Sequence, residues 1–415
     1  MTQLPETGAQ VGTPAGVEQK VSWLELFFDL IFVVAFDQLS KRLGDSHTLE
    51  NIGAFGIMFV AIWWAWSTNA TFAARYGNES RAYRWGTLLE LVGMGLIALS
   101  LRGDLKETGI YFALGYGFNR LLHAGQHLWI TRRAPETVAF SRRIALVSGV
   151  AAALWALSAF LPGGSAWQVG LWCFALLIDV VTPVLVRDRN RSALPHEGHL
   201  PERVGLLQII AMGGIVNEIV GGGRKQALSW MTLWPAFLSM ATVVALWRLY
   251  FDQTHALPLL SARVEGREGR MLAWLYGHLP FTLSLVVLGV GIGHGLSSAD
   301  SHEVAVQQQF VVWSLVIAFV SLTFLRLVTL RVARLPLLDR SGFALIVGAL
   351  ALAALAFVDL DTKRLDLLVV VVCLAVASAV ASDPVTHRLG QLEEHVAQHL
   401  EAQAADASDE GQDED

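Results

Sequence analysis

The first long apolar run of the chain, VSWLELFFDLIFVVAFDQL, carries three carboxylates, Glu25, Asp29 and Asp37, at intervals of four and eight. In a helix this spacing winds them along one stripe. A carboxylate in hydrocarbon costs about 2.5 to 3.5 kcal/mol on insertion scales, so such acids face a bundle interior, a water-filled cavity or a cation rather than lipid. Glu25 and Asp29 are therefore candidate proton or cation sites, where gain or loss of a proton is coupled to a change of packing. The competing reading places Glu25 at the wet headgroup level and pairs Asp29 with an interior arginine such as Arg120 for packing alone. Asp37 lies near the helix exit, where solvation is cheap.

The fourth apolar run places Arg120, His123 and His127 at spacings of three and four, on one helical face. An arginine inside a membrane needs an anion, and Asp29, Glu90 or Asp179 could supply it. The two histidines have the spacing of helical metal ligands, but no third ligand is fixed beside them; they are a possible proton relay or a polar interior pair. Asp179 precedes Thr182 and Pro183, and a proline within a membrane helix frees a backbone carbonyl for a hydroxyl, water or ion. That makes either a binding site or a kink with Asp179 paired to Arg120. Glu218 stands in NEIVGGGRK, where three glycines could end a helix and bring the carboxylate near the surface.

Positioning these groups requires many membrane helices. The 415 residues are 54% hydrophobic and 16% charged, with a mean hydropathy of +0.48; this is more apolar surface than a soluble domain of this size buries. A span needs roughly 20 apolar residues. About twelve such runs occur, near residues 21–39, 50–70, 84–101, 109–130, 143–161, 168–186, 204–222, 231–250, 272–293, 308–330, 341–359 and 366–382. They are continuously apolar rather than alternating, which selects helices over barrel strands. The expected fold class is all-α, polytopic, with six-helix halves at 20–200 and 201–385, possibly related by a pseudo-two-fold along the membrane normal. Residues 1–19 read as a disordered tail and 386–415 as an acidic one.

With the N-terminus in the cytoplasm, about twenty Lys and Arg fall inside and about eight outside. Inside segments then include Arg132, Arg133, Arg142 and Arg143 and the loop of Arg187, Arg189 and Arg191; GGSA at 163–166 and the stretch 295–306 lack Lys and Arg. Both termini are expected in the cytoplasm of a bacterial inner membrane, with no removable signal peptide. Cys173 and Cys373 sit in apolar runs and form no disulfide framework. Tryptophans such as Trp63, Trp64 and Trp66 fit an interfacial aromatic belt, and the glycines of GMG (93–95), GYG (115–117) and GVGIGHG (289–295) allow close helix contact. No P-loop, nucleophile elbow or HExxH occurs, and no strand precedes GVGIGHG, so ATP-driven pumping, the commoner hydrolases and phosphate binding are disfavoured. Basic loops read as topology determinants, not nucleic-acid surfaces.

WLELFFDLIFVVAFDQLS (23–40), IDVVTP (178–183), LPERVGLLQIIAMG (200–213), LWRLYFD (246–252) and HLPFTLSLVVLGVGIGH (278–294) resemble, in order, the signature blocks of the bacterial low temperature requirement A (LtrA) family. The resemblance implies a multi-pass bacterial membrane protein associated with growth in the cold. It matches Glu25 and Asp29 to the family's acidic pair, Glu202 and Arg203 to its Glu-Arg pair, and His278 and Pro280 to its His-Leu-Pro block. Where relatives often read Gly-Glu, this chain has Gly213 and Gly214, with Glu218 four residues further on.

Together these residues point to a proton- or cation-coupled transporter of a small solute, without cofactor, using Glu25, Asp29, Arg120, Asp179 and Glu218, with His123 and His127 as a candidate proton relay. Arg120 is the expected charge partner of the acids. The alternative is a non-transporting sensor or scaffold whose buried charges are structural; an intramembrane enzyme built on His123 and His127 is a third reading.

Overall fold

A computed structural model describes residues 19–77, 79–186, 194–223, 227, 229–297 and 301–410, the side chains of 301–304, 401 and 403–410 excepted. Among the described residues the fold is all helix: α1 (Trp23–Asp45), α2 (Leu49–Tyr76), α3 (Arg81–Ser100), α4 (Leu105–Ile130), α5 (Val138–Ser158), α6 (Ala166–Leu185), α7 (His199–Gly223), α8 (Trp230–Gln253), α9 (Leu257–Glu265), α10 (Glu268–Ser297), α11 (Ser301–Ala333), α12 (Arg340–Leu355), α13 (Thr362–Ala381) and α14 (Pro384–Glu410). Every apolar run of the sequence coincides with one helix. Among the described residues eight segments are long and apolar enough to cross a membrane, including α2, α6, α7, α10 and α13. The basic loop at Arg187, Arg189 and Arg191 and the first tail, to residue 18, lie outside the described residues.

Local chemistry sets the helix starts. Ser22, Thr48, Ser80, Asp104, Ser165, Asp339 and Asp361 each cap a helix by accepting a backbone N–H of its first turn. At α1 the cap is reciprocal: Glu25 reaches back to the Ser22 N–H at 2.8 Å. Gly266 ends α9 in the left-handed conformation, at φ 67°, where a Cβ is disfavoured.

The outward faces are lipid-like. Phe27, Leu30 and Val34 project from α1, on the face away from Glu25 and Asp29, and Leu89, Val92, Leu96 and Leu99 from α3. Such stripes on a water-soluble surface would be large exposed apolar patches; here they belong in a bilayer. Exposed tryptophans stand at helix beginnings, Trp23 (88% exposed) on α1, Trp85 on α3, Trp167 on α6 and Trp230 on α8, as amphipathic rings at a membrane–water boundary do. Trp63, Trp64 and Trp66 do not form part of such a belt. They are buried in the bundle, because α2 is enclosed by α1, α4, α6, α7 and α10.

Helices that follow one another in the chain from α1 to α7 alternate in direction. The starts of α1, α3, α7 and α10 therefore gather with the ends of α2, α4 and α6: Tyr83 Oη is 3.4 Å from Glu25, Phe72 packs on Tyr83 and His127, and Arg75 is 3.5 Å from Glu268. Further along α1 the interior is aromatic, with Phe28 edge-on to Phe32, Phe32 tilted against Phe36, and Phe36 stacked on Phe59 of α2 at 5.6 Å. Helices α7 and α10 touch through backbone: a Cβ on Gly222 would stand 2.8 Å from the Gly293 carbonyl oxygen, the close approach expected of small residues in membrane helices.

At the C-terminal end, Arg326 of α11 forks onto Asp339 (Nη2–Oδ2 2.5 Å, Nε–Oδ1 3.0 Å) and reaches Asp383 at 3.2 Å, tying α11 to the starts of α12 and α14. Helix α14 runs through Glu410, into the stretch whose composition predicts disorder, and docks beside α9 through Glu393, which accepts from the Ala256 N–H (3.1 Å) and contacts His255 Nδ1 (2.9 Å).

Candidate functional site

The parallel packing of α1 and α7 sets their first two turns side by side. On α1 these turns carry Glu25 and, one turn deeper, Asp29; on α7 they carry His199 and Arg203. Arg203 donates to Asp29 through Nη2 (2.5 Å to Oδ1) and Nε (3.2 Å to Oδ2), and through Nη1 to Glu25 Oε1 (3.1 Å) and Asn69 Oδ1 (3.4 Å). His199 Nε2 lies 3.1 Å from Glu25 Oε1. From α2, the Trp66 indole N–H donates to Asp29 Oδ1 at 2.9 Å, and the Asn69 amide donates to Glu90 of α3 at 2.7 Å. All of these side chains are buried; Glu25, His199 and Arg203 are 0% exposed. Two carboxylates thus share one guanidinium and a third, Glu90, joins them through Asn69, a buried arrangement rich in carboxylate.

Helix α2 separates this network from a second one. Its Trp66 and Asn69 face α1 and α7, while Thr68, Thr71 and Arg75, at spacings of three and four, face α4 and α6. There they line a cavity of about 40 Å³ with Arg120, His123, His127, Ser148, Asp179, Thr182 and Pro183. Arg120 Nη2 donates to Thr68 Oγ1 at 2.7 Å. Its Nε and Nη1, Asp179 Oδ2 and the Nδ1 atoms of His123 and His127 are buried without a hydrogen-bond partner. Pro183 removes the helical donor to the Asp179 carbonyl. Nearby carbonyls are taken by hydroxyls, Thr182 Oγ1 donating to Ile178 (2.5 Å) and Tyr276 of α10 to Val180 (2.7 Å).

Residues 20–378 match the family model described as bacterial low temperature requirement A protein (LtrA). The chain belongs to this family. It is similar to an uncharacterized protein of Rhizobium meliloti (strain 1021), 28% identical over 289 residues that cover 66% of this chain and 69% of the relative. No solved structure matches the chain. The LtrA match ends within α13, so the helix docked on α9 lies beyond it.

Within this LtrA chain the acidic pair of α1 is enclosed as its spacing predicts, but its partner is Arg203, not Arg120. Arg120 is carried by α4 on the other side of α2 and faces Asp179 across the cavity, with no direct ion pair between them among the described residues. Glu25 is not at a wet rim: the start of α7 closes over it. Of the family's Glu-Arg pair, Glu202 points outward and Arg203 inward, adjacent residues of a helix being about 100° apart. His278 is buried between Trp274 and Tyr250, its Nδ1–H donating to the Trp274 carbonyl at 2.8 Å; Pro280 lies two residues on, inside α10. Glu218 is apart from both networks, near Gly289 and Gly293 in the α7–α10 contact. Asp37 accepts from Lys41 at 2.6 Å and Asn217 at 3.1 Å, toward the far end of α1 and α7. His123 and His127 stack edge to face, 4.7 Å between centroids. Trp66, Asn69, Tyr83 and His199 have no periodic signature as site residues; the one signal for Arg203 and its neighbour His199 is their place in and beside the LPER block.

Proposed function

We propose that this LtrA protein is a proton- or cation-coupled transporter of a small solute in the bacterial cytoplasmic membrane, spanning it twelve times with both termini in the cytoplasm and supporting growth at low temperature. One observation carries the reading: Glu25 and Asp29 converge, buried, on the guanidinium of Arg203, and a third buried carboxylate, Glu90, is tied to them through Asn69. A network with this surplus of carboxylate responds to one proton or cation more than a balanced pair does. On this reading both networks lie toward the cytoplasmic face. A proton taken up at Glu25 weakens the hold of Arg203 on Glu25 and leaves Arg203 to Asp29. The first turns of α1 and α7 are then free to part, and the packing with the site open to the cytoplasm is favoured over the closed one. Glu218, in the α7–α10 contact, belongs to the same moving helix and is proposed to act in its sliding.

The test is proton flux in proteoliposomes under an imposed pH gradient, read with an internal pH dye while candidate solutes are added. Solute-dependent flux that is lost in Asp29→Asn is the expected result; no flux with any solute, or unchanged flux in that variant, overturns it.

A second reading has its own support. Both oxygens of Asp29 and both of Glu25 are already hydrogen bonded, which suits a non-transporting sensor or scaffold whose charges fix helix pairing. It predicts that neutral substitutions lower stability and move no flux.

A further inference from the structure

The cavity between α2, α4, α5 and α6 has no role in the α1–α7 network, yet its chemistry is that of a receptor. Arg120 is 2% and Asp179 4% exposed. The guanidinium spends one nitrogen on Thr68 and holds Nε and Nη1 unpartnered, and Asp179 Oδ2 is likewise unpartnered. An unpaired buried donor or acceptor costs about 1–3 kcal/mol, and more when charged, so a purely structural Arg–Asp pair would close into an ion pair. Instead the two charges stand on different helices across about 40 Å³ of space, bordered by the hydroxyls of Thr68, Thr71, Ser148 and Thr182. One water needs about 10–15 Å³ by this measure, so the space takes roughly three water-sized groups.

We infer that this cavity is the solute site, and that its solute is a small polar molecule of zero net charge, carrying an oxygen acceptor for Arg120 at one end and an N–H donor for Asp179 at the other. The charge argument is direct. Arg120 and Asp179 cancel, and the other lining cation, Arg75, is paired with Glu268 at 3.5 Å, so a net anion is repelled by Asp179 and a net cation by Arg120, whereas a molecule with both poles satisfies both. Size limits it to roughly three to five non-hydrogen atoms. Two chemistries share this pattern, an uncharged amide of the urea type and a zwitterion of the glycine type. The inference deepens the transporter reading by naming a solute class, but binding itself requires no coupling.

The test is equilibrium binding of radiolabelled urea and, separately, radiolabelled glycine to the full chain in lipid nanodiscs, without any gradient. Saturable binding of one of them is expected, and which one binds separates amide from zwitterion. Arg120→Gln and Asp179→Asn are each expected to weaken it about tenfold or more. Should either variant fail to fold, Ser148→Ala and Thr182→Val remove cavity hydroxyls with little change of volume, and at least one is expected to weaken binding about threefold. No saturable binding of either probe to monodisperse protein, or binding insensitive to every folded variant, overturns the inference and leaves a cavity for water. Because no flux is measured, binding that persists while proton coupling fails refutes the coupling and not the site.

Discussion

Asp29 and Arg203, 174 residues apart in the chain, meet edge to edge, Nη2 and Nε of one on Oδ1 and Oδ2 of the other. This side-on fork joins the first family block to the third, and α1 to α7. It also explains why an acid survives at this depth of α1: planar, permanently charged and two-pronged, the guanidinium satisfies a carboxylate as an ammonium cannot.

Removal of the cation is therefore expected to be worse than removal of one acid. Arg203→Gln leaves Glu25 and Asp29 buried without their shared guanidinium and should cost about 3–5 kcal/mol. Asp29→Asn leaves Arg203 with Glu25 and should cost less. The double variant should recover part of the loss, a coupling readable from thermal unfolding of the four proteins in detergent by circular dichroism.

Two neighbouring tryptophans should respond differently to one substitution. Trp66 donates to Asp29 at 2.9 Å, while the Trp63 indole N–H is buried without a partner. Trp66→Phe and Trp63→Phe lose the same ring volume, so the difference isolates a hydrogen bond to a charged group, about 1.5–3 kcal/mol. Equal loss in both melts would count against the Asp29 contact.

The junction of α11, α12 and α14 should be acid-labile. Burial by itself raises the Asp383 carboxyl, but the Ser341 hydroxyl, the Val385 and Ser341 N–H groups and the Arg326 guanidinium hold it below its ordinary 3.8. A lowered carboxylate contributes stability that is complete above its unfolded value and disappears as pH falls through the folded one. Protection of the amides at the starts of α12 and α14, taken relative to their intrinsic exchange rates, should thus be constant near neutral pH and fall below about pH 4. Asp383→Asn should exchange fast throughout.

Glycine tolerance should follow helix contact. A Cβ on Gly222 meets the Gly293 carbonyl oxygen at 2.8 Å, whereas one on Gly213 meets nothing within 4 Å. Gly222→Ala is expected to cost about 1–3 kcal/mol through overpacking. Gly213→Ala should be neutral or stabilising by up to about 1 kcal/mol, since alanine is the better helix former. Melting temperatures of the two variants test both signs.

Helix positions were legible because apolar runs of span length allow little else in lipid, and the enclosure of Glu25 and Asp29 followed from their cost there. The partner was not legible. Periodicity reports which face of a helix a residue occupies, not which distant helix packs on it, so Arg120 is the partner that spacing suggests, whereas α2 stands between it and the acids and Arg203 takes the role. Trp66 illustrates the same limit: an aromatic near a helix end reads as interfacial, and only the enclosure of α2 makes it a hydrogen-bond donor to Asp29. The unpaired state of Arg120 and Asp179 had no trace in spacing at all, because it depends on how far apart α4 and α6 are held.

The phenylalanine series of α1 locates the electrical resistance of the bundle. Polar groups crowd toward the end where α1 and α7 begin; beyond Asp29 the path along α1 meets Phe32 and Phe36, the latter against Phe59. A charged species moving along that path has to part α1 from α2, and at rest those rings act as its insulator.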